Sequence, residues 1–101
     1  MARVPIACSL EAESADHQVE EWRQLLNRHV TAVERTATTA RVRLQDRHDA
    51  LLATADLARR EKACCPFFQF RLDLRPEAVW LEIGVPEEAA PILDGMLDLR
   101  Q

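Results

Sequence analysis

The segment from Arg60 to Phe70, REKACCPFFQF, brings together a glutamate, two adjacent cysteines, a proline and three phenylalanines. Thiolates and a carboxylate are the donor set for a soft or borderline cation such as Zn(II), Cu(I), Hg(II) or a trivalent metalloid of the arsenite type. Glu61, Cys64 and Cys65 supply three such donors, and Cys8, in the stretch VPIACSL near the start, is the remaining cysteine of the chain. Cys8, Glu61, Cys64 and Cys65 are therefore the candidate metal ligands. Adjacent cysteines differ from the Cys-x₂-Cys spacing of common zinc sites, so the pattern defines a donor type and leaves the ion open.

What singles out Glu61 is its place on a helix. The residues from about His48 to Cys65 read as a helix that Pro66 must end, because proline cannot continue the hydrogen bonding and biases the residue before it out of helical geometry. At about 100° per residue, Leu51, Ala55, Ala58, Thr54, Ala50, Leu57, Cys64 and Cys65 share one broad apolar arc, while Asp56, Arg59 and Arg60 lie opposite. Glu61 falls inside the apolar arc, about 60° from Cys64 and about 40° from Cys65. Burying a lone carboxylate costs several kcal/mol, so such a group is protonated, paired, hydrogen-bonded or bound to a metal. Its partner is either a backbone group or arginine at a half-open helix end, or a cation.

Three other chemistries use the same residues. Cys64 or Cys65 as a nucleophile, with Glu61 as proton carrier, would make a small thiol enzyme or redox protein, but the negative end of the helix and the nearby carboxylate both oppose thiolate formation. A bound cation reverses that balance. A disulfide is better formed by Cys8 with Cys64 or Cys65 than between the two neighbours, whose bridge would be strained. Finally, cysteines are among the most buried residues, and all three serve equally as small core hydrophobes in a structural or interaction domain.

The elements that must position these residues follow from periodicity. Val4, Ile6, Cys8 and Leu10 alternate as a half-buried strand; Ser14 is a suitable N-cap for a helix to about Arg28 with Val19, Trp22, Leu25 and Leu26 on its apolar face. VTAVER and ARVRLQ flank Thr36 to Thr39 as a hairpin. After the second helix, Phe68, Phe70, Leu72 and Leu74 and then Val79, Leu81, Ile83 and Val85 point inward from two more strands, and Pro86 opens a last helix with Ala90, Leu93, Met96 and Leu97. The order β-α-β-β-α-β-β-α predicts an α+β fold of the ferredoxin-like, split βαβ type, an antiparallel sheet with helices mainly on one face. In its 4-1-3-2 strand order the first strand would lie beneath the C-terminal turn of the second helix, bringing Cys8 toward Glu61 beside Phe68 and Phe70.

Composition limits the partners. The 101 residues fit one folding unit, with 48% apolar residues and a net charge of −4 whose basic members are scattered. A concentrated basic stripe is missing, which argues against nucleic acid. The start lacks a signal-peptide core and no run reaches the roughly 20 apolar residues of a membrane span, so the expected location is cytoplasmic. His17, His29 and His48 fall outside the proposed site and read as surface residues. Trp80 alternates to the outer face of the sheet with Glu82 and Gly84, where it meets either the last helix or a second copy in a homodimer.

EKACCPFFQF, with IACSL near the start and VERT before the hairpin, resembles a group of small bacterial proteins, frequent in actinobacteria, with an E-x-x-C-C-P-F-F-x-F signature. Similar segments stand beside or fused to MerR-type regulators. The resemblance covers most of the chain, implies a link to soft-metal or thiol biology, and carries Cys8, Glu61, Cys64 and Cys65 as candidates. It brings no assigned activity. The chain has no helix-turn-helix segment, so the resemblance implies a sensor or effector without DNA binding, with a metal ion or small molecule as its ligand.

Overall fold

From residue 30 onward the alternating segments become four strands. The structure, a computed structural model, describes residues 12–100, with side chains from residue 17 on. The chain forms α1 (Ala12–Arg28), β1 (Val30–Arg35), β2 (Thr39–Leu44), α2 (His48–Cys64), β3 (Gln69–Leu74), β4 (Val79–Gly84), a 3₁₀ turn (Glu87–Ala89) and α3 (Ala90–Leu97). The strands pair antiparallel in the order β1-β2-β4-β3, and the fold is α+β with the ferredoxin-like pattern. The strand expected over residues 4–10, with Cys8, lies outside the described residues.

The strand order departs from 4-1-3-2: β4, rather than a first strand, is the neighbour of β2, and β3 pairs with β4. Two local causes favour this. The turn closed by Arg75 N–H donating to Ala78 O folds β3 and β4 into a hairpin, and short-range pairing has the smaller loop-closure cost. Val79, Leu81 and Ile83 make β4 the most apolar strand, and a central place buries them to 3%, 2% and 0% exposure.

All three helices contribute to the cluster built on that inner face. Ala40, Val42 and Leu44 of β2 oppose Ile83, Leu81 and Val79 of β4, and Trp22, Leu25, Leu26, Leu57, Leu93 and Met96 close over them. The outer face is polar. Glu34, Arg41, Glu82 and Arg71 stand in one row across the four strands as alternating charges, with contacts of 3.0, 3.8 and 3.0 Å. Trp80 lies on this face with the Arg41 guanidinium 4.4 Å above its ring, and the last helix is on the opposite side.

Five details differ from the sequence reading. Ala55, expected in the apolar arc of α2, is exposed. Ser14 lies inside α1, which already runs from Ala12. Val19 is exposed and Gln18 takes the buried position, because the face that meets the core runs through residues 18, 22, 25 and 26. Leu74 is 63% exposed at the end of β3, whose outer edge has no strand beside it among the described residues. Pro86 is extended and precedes the 3₁₀ turn; it is Pro91, in the first turn of α3, that uses the missing N–H at a helix start.

Candidate metal centre

α1 and α2 run antiparallel, which the contacts between them record in sequence. Gln18 reaches Glu61 and Cys64, while Glu21, farther along α1, pairs with Arg60 on the preceding turn side of α2. The N-terminal part of α1 thus lies against the C-terminal turn of α2. Glu61 is buried at 8% exposure, in the helical arc with Ala50, Thr54, Leu57, Ala58 and Cys64.

Its partners come from α1 and are neither arginine nor backbone. Trp22 Nε1 donates to Glu61 Oε1 at 2.6 Å, and Gln18 Nε2 donates to the same oxygen at 2.9 Å. Both donors are buried, at 2% and 7% exposure. They satisfy one carboxylate oxygen and leave Oε2 without a donor among the described residues. Gln18 Nε2 also lies 3.5 Å from Cys64 Sγ, so one amide bridges the carboxylate and the thiol.

The end of α2 arranges the sulfurs. Cys65 N–H donates to Glu61 O at 2.8 Å, the last helical bond, and Cys65 then leaves helical geometry with φ −126° and ψ 80°. Pro66 favours that departure. Were Cys65 helical, its side chain would diverge from that of Cys64 by about 100°; instead the two sulfurs stand 3.5 Å apart. That is far beyond the roughly 2.05 Å of a covalent S–S bond. Cys64 Sγ is also 3.4 Å from Glu61 O, to which its thiol donates.

One ligand atom each from Glu61, Cys64 and Cys65 lies within 4.8 Å of the others, and all three residues are buried. This group is able to hold a metal ion. Its surroundings are aromatic: Phe67 stacks on Phe68 at 4.6 Å, Phe68 on Phe70 at 5.4 Å, and Phe70 on Trp22 at 5.9 Å. Such walls exclude water and strengthen the attraction of the donors for a cation. Burial of Cys64 and Cys65, at 6% and 4% exposure, closes the approach that a nucleophilic thiol needs toward a large substrate.

The sequence-predicted residues separate clearly. Glu61, Cys64 and Cys65 come together; Cys8 lies outside the described residues. His17 and His48 are exposed, and His29 is half-buried beside Gln45 at 3.5 Å; none joins the cluster. Gln18 and Trp22 were missed as partners of Glu61. The signal was present in Gln18, a polar residue four positions before Trp22 on the apolar face of its helix, the same anomaly that marked Glu61.

Beside the centre, on the solvent side, Arg60 forms a two-pronged pair with Glu21, at 2.8 and 2.5 Å, and bonds Asp56 at 3.0 Å. The hydrogen bond from Arg60 holds the Glu21 carboxyl below its ordinary value of 4.5, against an opposing effect of burial. The same bond raises Arg60. This pair clamps α1 to α2 one turn from the thiols.

Among the described residues, no helix is long and apolar enough to cross a membrane. Comparison with protein families, with curated proteins and with solved structures found no match to this chain.

Proposed function

We propose that this chain is a small binding module for a thiophilic metal or metalloid ion, held by Cys64, Cys65 and Glu61 with Cys8 as a further thiol. The observation that carries the reading is the convergence of two sulfurs and a carboxylate oxygen within 4.8 Å in a buried, aromatic-walled site. Two thiols and an acid so placed gain from a cation, which compensates their charge, and binding releases the thiol protons to solvent. Cys8 enters because of chain direction. It precedes α1 by four residues, and that end of α1 is the one beside Cys64. From Gln18 to Ala12 is about 9 Å of helix, and four further residues span at most about 14 Å. Kinship with the small bacterial proteins carrying the Glu61 to Phe70 signature would set the module in soft-metal or thiol biology.

The test is thermal unfolding of wild type and Glu61→Gln with Zn(II), Hg(II) or arsenite, with the thiols reduced beforehand, the reductant removed and oxygen excluded. A ligand of the folded state raises the wild-type midpoint, adding about 2.7 kcal/mol at a hundredfold excess over its dissociation constant. In Glu61→Gln the shift should shrink while the fold persists. Absence of a shift in wild type with every ion would leave the cysteines as core residues and end this reading.

A further inference from the structure

Resting on that reading, we propose that the centre takes an ion of angular coordination, a tetrahedral divalent ion of the zinc class, in preference to one that binds two collinear thiolates. The argument is the sulfur separation. With metal–sulfur bonds of about 2.3 Å, two thiolates 3.5 Å apart subtend about 100° at the ion. A tetrahedral centre needs nearly that angle. A linear centre with the same bonds needs sulfurs about 4.6 Å apart.

The backbone opposes that wider spacing. Cys65 is pinned on both sides, its N–H donating to Glu61 O at 2.8 Å and its carbonyl accepting from Phe68 N–H at 3.1 Å, with Pro66 between. Cys64 Sγ is held by Gln18 Nε2 and by Glu61 O. The third donor points the same way, because a carboxylate oxygen is a harder ligand that suits zinc better than Cu(I) or a trivalent metalloid. Glu61 offers Oε2 for this, since Trp22 and Gln18 both engage Oε1. One position of the tetrahedron is left for an exogenous ligand.

The probe is Co(II), whose four-coordinate thiolate complexes absorb strongly in the visible and show sulfur-to-cobalt charge transfer. It is titrated into reduced wild type and into Cys8→Ser, which confines the thiols to the adjacent pair. The expected result is one Co(II) per chain in both, with the four-coordinate spectrum, displaced by stoichiometric Zn(II). Cys64→Ser or Cys65→Ser should each lose one thiolate's share of the charge-transfer intensity; circular dichroism checks their folding, and the Cys8→Ser spectrum stands if either fails to fold. X-ray absorption of Cu(I)-loaded Cys8→Ser provides the opposing measurement. A single two-coordinate Cu(I) there, without a cobalt spectrum, overturns the angular site and leaves the metal module standing. Cobalt or zinc uptake by wild type but none by Cys8→Ser also overturns it. If wild type takes up none of Co(II), Zn(II) and Cu(I), the zinc-class preference is overturned, and the metal module itself falls only if Hg(II) and arsenite also fail to bind.

Discussion

Trp22 of α1 donates its indole N–H to Oε1 of Glu61 on α2 across 2.6 Å, and both residues are buried. A carboxylate in a helix face that otherwise meets the core is thereby held by a side chain whose ring also stacks on Phe70. The bond ties helix packing to the disposition of the candidate centre.

Replacing Trp22 by Phe keeps an aromatic ring against Phe70 and deletes the donor. Leaving a buried acceptor without its donor costs about 1–3 kcal/mol, so urea unfolding of Trp22→Phe should give a stability lower by that amount. An unchanged midpoint with an unchanged urea dependence would show that the bond contributes nothing to stability.

Gln18 bridges Glu61 and Cys64, so in the proposed metal site it would orient two ligands. Gln18→Met keeps the volume and removes both contacts. Outer-shell changes of this kind lower metal affinity by about 10–100-fold, which chelator competition against Zn(II) measures. Affinity equal to that of wild type would reduce Gln18 to a packing residue.

Pro66 is the reason that Cys65 leaves the helix. In Pro66→Ala the helix is free to continue through Cys65, which should turn the two sulfurs apart, raise helical content slightly and weaken Zn(II) binding by about tenfold or more. Tight binding retained in a chain with more helix would show that the sulfur spacing does not depend on this break.

The Glu21–Arg60 pair predicts an acid-side effect with a definite sign. Because the folded carboxyl sits below its ordinary value of 4.5, the pair stabilises the fold above that pH, and the contribution is lost as pH falls through the lowered folded value. Being partly exposed, it is worth at most about 1 kcal/mol. Glu21→Gln should therefore melt several degrees below wild type at neutral pH, and the two should converge in strong acid. A gap that stays constant with pH would assign the difference to packing.

Within the described residues, periodicity alone marked the strands and helices and the anomaly at Glu61. Alternation in Ala40 to Leu44 and Val79 to Ile83 marks strands whatever their neighbours, since a period of two leaves one face apolar. Pro66 ends α2 for a covalent reason, and the helical wheel placed Glu61 among buried residues because an α-helix has a fixed twist. Strand order was not legible in the same way: which strand lies between β2 and β3 depends on the relative burial available to each, and β4 wins that central place with Val79, Leu81 and Ile83. The identity of Glu61's partners was decided at the same level. Gln18 and Trp22 meet it only because α1 packs antiparallel on α2 over one sheet face, and the 3.5 Å spacing of the sulfurs arises only where the helix end is pinned between Glu61 and Phe68. Local periodicity fixes which side of an element is buried; only packing decides what faces it there.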